Sequence, residues 1–507
     1  MGALTDLVGN IGIGLEAAVS PSNLFYCFAG VFIGMLVGVL PGIGSLAAIS
    51  LLFPITFYLD PAGAIIMLAG IYYGTAYGGS TAAILLNLPG TPSSAVACID
   101  GYPMAKQGRA GVALLLTTTS SFIAGSIGIV LMMLFSPVIV RFAIGFGPAE
   151  YFSLMLVGLV AASTISEGSA VKGVAMVALG IMFGVVGMDM YTGAQRFTFG
   201  RLELFEGVSL VALAMGLFGV AEIIASVGTV RVGQLGKVTL RSMIPTRDDL
   251  RRSWMPTLRG SGIGSFLGIL PGVGASAASF MSYAVEKRVA RDPSRFGKGA
   301  VEGVCAPEAA NNAADQTSFI PTLSLGIPGS AAMALMLGVL IVHGITPGPQ
   351  LMNHHPELFW GLVMSFWIGN AILLLLNIPL IGLWVRLLQV PYHLLYPAVL
   401  MFICIGVYSV NNSVFDVWMA LLFGLVGYGM RLLQFPMPPL LLGFVLGPLM
   451  EENFRRAMIL SGGRFETFIE RPVSGVLIAG SVLLLAWGLI SFMRRQKVSA
   501  VAGQSEP

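Results

Sequence analysis

Two seven-residue segments are built to present bare backbone to a ligand. Gly38-Val39-Leu40-Pro41-Gly42-Ile43-Gly44 and Gly268-Ile269-Leu270-Pro271-Gly272-Val273-Gly274 differ only by Val/Ile exchange at two positions. Proline removes a backbone donor and clashes with the preceding turn, and the adjacent glycine permits positive φ, so an apolar segment carrying this motif breaks at its centre. The half-helix that restarts after the break turns unpaired N–H groups and a positive dipole end toward an anion. A second pair follows in the same order, Leu86-Asn87-Leu88-Pro89-Gly90-Thr91 and Leu325-Gly326-Ile327-Pro328-Gly329-Ser330. Glycine lets a ligand approach the main chain, and Ser or Thr hydroxyls add donors, which suits a carboxylate. The candidate substrate-binding residues are Gly42, Gly44, Ser45, Asn87, Pro89, Gly90, Thr91, Ser93, Gly272, Gly274, Ser276, Gly326, Pro328, Gly329 and Ser330. A Pro-Gly kink needed only for packing explains one such motif as well; two symmetric pairs favour binding.

A second constellation is the run Pro307 to Ser318, where Glu308, Asn311, Asn312, Asp315 and Gln316 sit among small residues at the edge of an apolar segment. Intramembrane ionisable groups are costly and usually functional. Glu308, Asn312 and Asp315 fall at i, i+4 and i+7, one face of a helix. The corresponding first-half stretch, Tyr73 to Thr81, is polar but uncharged. Thr75, Ser80, Thr81, Glu308, Asn311, Asn312 and Asp315 are therefore candidates for a coupling ion, Na⁺ or H⁺; the plainer reading is a solvated helix start. Asp189 reads as interfacial, Glu222 and Glu451 as scaffold contacts near the ends of the two halves, and Asn411-Asn412 as a loop. The spacing of four Cys and four His residues, His354-His355 included, matches no disulfide framework or metal motif. No paired His and Asp at membrane depth suggests an intramembrane enzyme, so neither catalytic residues nor a cofactor are expected.

The elements that must carry these residues are membrane helices. Of 507 residues 56% are hydrophobic, 10% are charged and 65 are glycine. An ordinary soluble domain has about a quarter of its residues charged. The net charge of +3 is too small to imply nucleic acid. No Lys or Arg precedes Lys106, so there is no basic region of a secretory signal. Apolar segments of about 20 residues fall at 62–86, 111–140, 150–166, 172–190, 207–227, 317–342, 358–388, 393–410, 415–433, 436–452 and 473–493. The polar stretches 229–259 and 284–316 read as loops. The motif pairs recur at offsets of 230 and 239 residues, and the basic stretch Glu286 to Gly299 absorbs the drift. A weaker third pair is Asp100-Gly101 with His343-Gly344. Ordered matches at a near-constant offset indicate an internal duplication.

Basic clusters at 231–259 and 287–298 flank one apolar segment, and both favour the cytoplasm. A re-entrant hairpin over 254–283 satisfies both, and the same device over 24–57 enters from the other side. The expected fold is an all-α polytopic membrane protein with an inverted-topology repeat, about eleven transmembrane helices and two re-entrant hairpins. Its parts are an N-terminal interfacial segment 1–23, a first repeat 24–230, a basic linker 231–253, a second repeat 254–456, an extracytoplasmic loop 457–472, and a terminal helix and tail 473–507. The N-terminus lies outside and the C-terminus in the cytoplasm; Arg455, Arg456, Arg464 and Arg471, placed outside, conflict with the charge rule. Inverted repeats with broken helices are the mark of secondary transporters.

The duplicated G-x-x-P-G-x-G, the turn Asn87 to Pro92 and the run Ala306 to Ala313 together resemble the large membrane subunit of tripartite tricarboxylate transporters, over about residues 20–470. The resemblance implies a bacterial inner-membrane importer of citrate-like or related carboxylates, driven by an ion gradient. It also implies a small four-helix membrane partner, an extracytoplasmic solute-binding protein and no ATPase subunit; the sequence has no P-loop. The alternative is a stand-alone carrier or exporter of organic anions without a binding protein.

Overall fold

The computed structural model describes residues 2–40, 44–165, 169–189, 191–226, 240–387 and 392–502. The candidate Gly42, with Pro41 and Ile43, and linker residues 231–239 lie outside the described residues. The first half contains α1 (Gly2–Ala18), α2 (Pro21–Val39), α3 (Gly44–Leu52), α4 (Pro61–Leu86), α5 (Ala97–Met104), α6 (Ala110–Ala143), α7 (Pro148–Ile165) and α8 (Ala170–Gly184). It closes with α9 (Leu210–Ala214) and α10 (Ala221–Ser226), joined by a π turn. The second half contains α11 (Arg247–Ile269), α12 (Gly274–Val289), α13 (Glu302–Thr317), α14 (Phe319–Leu325), α15 (Ala331–Val342), α16 (Pro349–His354), α17 (Pro356–Asn377) and α18 (Ile381–Leu387). Then come α19 (Tyr392–Asn411), α20 (Val414–Leu432), α21 (Pro438–Leu460), α22 (Thr467–Glu470) and α23 (Pro472–Ala502). The strands among the described residues are Gly187–Met188 and Gln195–Arg196, one antiparallel pair.

By length and composition, four helices among the described residues can cross a membrane: Pro21–Val39, the continuous run Pro92–Ala143, Pro356–Asn377 and Val414–Leu432. Eight shorter apolar helices accompany them. Several expected segments need correction. The stretch 284–316 is not all loop: its second part is α13, buried along almost its whole length. Polar side chains are tolerated there because Ala306, Ala309, Ala310, Ala313 and Ala314 let neighbours close around the helix. Ser279 and Ser282 of α12 donate to the Pro307 and Ala306 carbonyls at 3.1 and 2.9 Å. Likewise α11 runs through the expected loop 229–259 from Arg247 onward, started by a Thr246–Asp249 capping box. The segment 317–342 is interrupted between Leu325 and Ala331, and 358–388 is split at Ile378–Leu380, where Pro379 cannot donate. In addition α8 ends at Gly184, short of 190, and α21 continues to Leu460, past 452.

The two halves repeat one local geometry. Gly30, Gly34 and Gly38 of α2 lie against the backbone of Met67, Ile71 and Thr75 in α4. Gly260, Gly264 and Gly268 of α11 lie against Ala306, Ala310 and Ala314 of α13. These are the same 230 and 239 offsets. Helices α2 and α11 end alike, at Leu40 (ψ 109°) and Leu270 (ψ 121°). Helices α3 and α12 start alike, at Gly44 (φ +67°) and Gly274 (φ +68°). Left-handed C-caps at Asn87 and Gly326 close α4 and α14. The next helical segments are capped by the hydroxyls of Thr91 and Ser330, which accept from Ser94 and Met333 N–H. The weak pair Asp100/His343 does not share a role. Asp100 Oδ1 accepts from the Gly297, Gly299 and Ala300 N–H groups at 2.8–2.9 Å, clamping the basic insertion, whereas the His343 ring meets the Thr56 carbonyl.

Ion pairs tie the halves together: Arg431–Glu222 at 2.6 Å and Arg196–Glu451 at 2.8 Å. Asp189, past the end of α8, is held by both Arg196 and Arg455. Of the arginines that conflict with the charge rule, Arg455, Arg456 and Arg471 pair with Asp189 and Glu451, with Glu452 and with Glu150.

Candidate binding cavity

The broken-helix motifs of the two halves meet in one cavity of about 650 Å³. Ser45 and Leu46 from the first hairpin, Thr91, Pro92 and Ser93 from the first turn, and Gly272 to Ala277 from the second hairpin line it. Ser330 to Ala332 from the second turn, with Tyr72, Thr75 and Ala76 of α4 and Asp315 of α13, complete that part of the wall. The tip of the second hairpin is tied to the second turn: Gly272 N–H donates to the Gly329 carbonyl at 3.0 Å. Pro271 cannot donate, and Gly272 sits at φ +80° against the Ala162 backbone, a conformation and a clearance that only glycine meets.

Seven of the candidate substrate residues therefore line the cavity: Ser45, Thr91, Ser93, Gly272, Gly274, Ser276 and Ser330. The other described candidates stand outside the lining. Asn87 and Gly326 supply the left-handed caps. Gly90 presses on the Gly38 carbonyl and the Gly79 Cα, and Gly329 lies against Ser318 and the Gly268 carbonyl. Pro89 and Pro328 sit in the same turns outside the lining, and Gly44 starts α3 beside Ser45.

The coupling-ion candidates divide. Asp315 and Thr75 face the cavity, and Tyr72 lies beside Asp315. Glu308, two turns deeper on α13, accepts a hydrogen bond from Ser80 Oγ of α4 at 2.6 Å. Asn311 is wholly buried, and neither its amide oxygen nor its nitrogen has a partner among the described residues. Thr81 Oγ1 donates to the Tyr77 carbonyl, and Thr75 Oγ1 to that of Tyr72. The Asn312 amide donates to Ser121 of α6 at 2.7 Å and to the Glu308 carbonyl at 3.0 Å, because α13 packs on α6 along that side.

A further part of the wall was not anticipated. It comes from Arg431 at the end of α20, the segment Gln434 to Met437 and the start of α21. Gln434 adopts φ +57°, and Pro436 and Pro438 keep the connection open. The legible signal was an Arg followed by a Pro-rich break between two apolar segments; the repeat motifs drew attention elsewhere. Arg431 and Asp315 are the charged residues of the lining. Near the start of α11, Asp249 pairs with Arg109 at 2.6 Å. Burial works to raise the Asp249 carboxyl, but the Arg109 guanidinium and the Thr246 donors outweigh it and hold the group below the ordinary carboxylate range.

A predominantly helical chain with apolar spans, duplicated helix breaks and a cavity lined from both halves is a multi-pass membrane protein of the transporter kind. The family model described as "Tripartite tricarboxylate transporter TctA family" matches residues 24–442, and the chain belongs to that family. It is 47% identical over 494 residues to an "Uncharacterized 52.8 kDa protein in TAR-I ttuC' 3'region" of Agrobacterium vitis, covering 97% of this chain and 98% of that protein. A second Agrobacterium vitis protein, "Uncharacterized protein in TAR-II ttuC' 3'region", is 50% identical over 234 residues, 46% of this chain and 97% of its own length. No solved structure matches.

Proposed function

We propose that this chain is the translocation subunit of a binding-protein-dependent secondary transporter that imports tricarboxylate or related carboxylate anions with an ion gradient. The observation that carries the reading is the cavity where both hairpins and both Pro-Gly turns converge. The family supports a large membrane subunit working with a small four-helix membrane protein and an extracytoplasmic solute-binding protein in a bacterial inner membrane. The repeated α2–α4 and α11–α13 geometry supports an internal duplication, and the five apolar segments expected from the sequence in each half favour inverted topology with two re-entrant hairpins. The basic residues favour an outside N-terminus and a cytoplasmic C-terminus.

In this mechanism the anion meets hydroxyls and helix starts at the tips. Asp315, Glu308 and the unpartnered Asn311 carry the coupling cation along α13. The test is citrate uptake into proteoliposomes holding the complete transporter. Ser45→Leu and Ser276→Leu fill the cavity and should cut uptake at least about tenfold, with membrane insertion unchanged. Asp315→Asn should remove the dependence on the ion gradient. Wild-type uptake by both leucine variants excludes the cavity as the path, and unchanged ion dependence removes Asp315 from the coupling site.

A further inference from the structure

Arg431 stands at the end of α20 with its side chain 48% exposed, and its Nη1 donates to Glu222 Oε2 of α10 at 2.6 Å. Among the described residues it is the one basic residue of the cavity lining. A guanidinium offers five donors in a planar fork that matches a carboxylate with two parallel bonds. The bond to Glu222 uses one of these donors. An ion pair this exposed contributes little, so a second carboxylate can take the place of the first at small cost. The segment that follows is held in place: Lys172 Nζ donates to the Leu433 carbonyl at 2.6 Å and lies 4.8 Å from the centre of the Phe435 ring. Phe435 is itself on the cavity wall, so Lys172 steadies the piece of chain that presents Arg431. The cation thus sits on a braced element, faces the cavity and carries an exchangeable internal carboxylate.

We propose that Arg431 is the anchor for one carboxylate of the transported anion, and that Glu222 is its internal competitor, displaced from the guanidinium as the anion enters. This rests on the cavity reading above and adds to it the preferred substrate class. With one carboxylate on Arg431, the hydroxyls of Ser45, Thr91, Ser93, Ser276 and Ser330 are left for a second or third. Anions with two or three carboxylates are therefore held better than those with one. Displacement of Glu222 also breaks the ion pair between α10 of the first half and α20 of the second, while the packing of Gly424 on Val220 and of Gly427 on Ala221 remains.

The experiment is thermal stabilisation of the detergent-purified transporter complex by citrate, succinate and acetate, read as the anion concentration giving half the maximal shift. The wild type should respond at the lowest concentration to citrate and the highest to acetate. Arg431→Gln should raise the citrate value at least about tenfold and level the three anions. Arg431→Lys, which keeps the charge but loses the fork, should fall between. Glu222→Gln should lower the citrate value, because the competitor is gone. A merely structural ion pair would make Glu222→Gln and Arg431→Gln shift in the same direction, and that result, or a wild-type value in Arg431→Gln, overturns the assignment. Ser276→Leu separates the two levels. If it abolishes the citrate response while Arg431→Gln does not alter it, only the role of Arg431 fails. If Ser276→Leu leaves the response intact, or the wild type answers to none of the three anions, the cavity reading fails with it.

Discussion

Replacing Gly264 by alanine tests whether the backbone contact between α11 and α13 holds the second half together. A Cβ at position 264 would stand 2.6 Å from the Ala310 Cα and 2.7 Å from its carbonyl carbon. Carbon atoms pack at about 3.5–4.0 Å, so the two helices must part locally by about 1 Å. Overpacking of this kind costs about 1–3 kcal/mol. Alanine recovers up to about 1 kcal/mol of helix propensity, leaving a net loss of up to roughly 2 kcal/mol. Gly262 lies two residues away on the same helix with nothing within 4 Å of its added Cβ, so Gly262→Ala should be neutral or stabilising. The repeat supplies a second copy: Gly34 meets Ile71 in the same way, and Gly34→Ala should lose about as much as Gly264→Ala. The assay is thermal unfolding of the purified protein followed by tryptophan fluorescence, with the three variants side by side. Equal losses at 262 and 264, or no loss at 34 and 264, would refute close backbone packing as the source of stability.

The equivalent turn glycines should not behave alike. Gly90→Ala drives a Cβ into the Gly38 carbonyl and the Gly79 Cα, whereas Gly329→Ala meets nothing nearer than 3.3 Å. The yield of folded protein should therefore fall for the first and hold for the second, as measured by size-exclusion chromatography. Acid should weaken the Arg109–Asp249 contact. The folded Asp249 carboxyl is held below its unfolded value of about 3.9, so its contribution is complete above that value and is lost as pH falls through the lower folded one. Asp249→Asn should lower thermal stability at pH 7, where the contact is complete, and flatten the further loss as pH falls below about 4. An unchanged acid limb would show that other groups control it.

Composition alone required a membrane protein, because 10% charged residues cannot cover 56% hydrophobic ones in water. The sequence also showed where chains break and that breaks come in pairs: Pro-Gly and left-handed glycine are local constraints, written in adjacent residues. Seven candidate residues reached the cavity for that reason. Burial of a polar helix is not local. Helix α13 looked like loop because its side chains are amides and carboxylates, and only the glycine face of α11 and the serines of α12 make its interior place acceptable. The direction of Asn312 was fixed by α6, 191 residues away in sequence, through Ser121. Arg431 carried no sign of its role either. A cation at a helix end is ordinary, and what makes this one part of the cavity is the fold that brings the α20–α21 connection to the same cavity as the paired helix breaks.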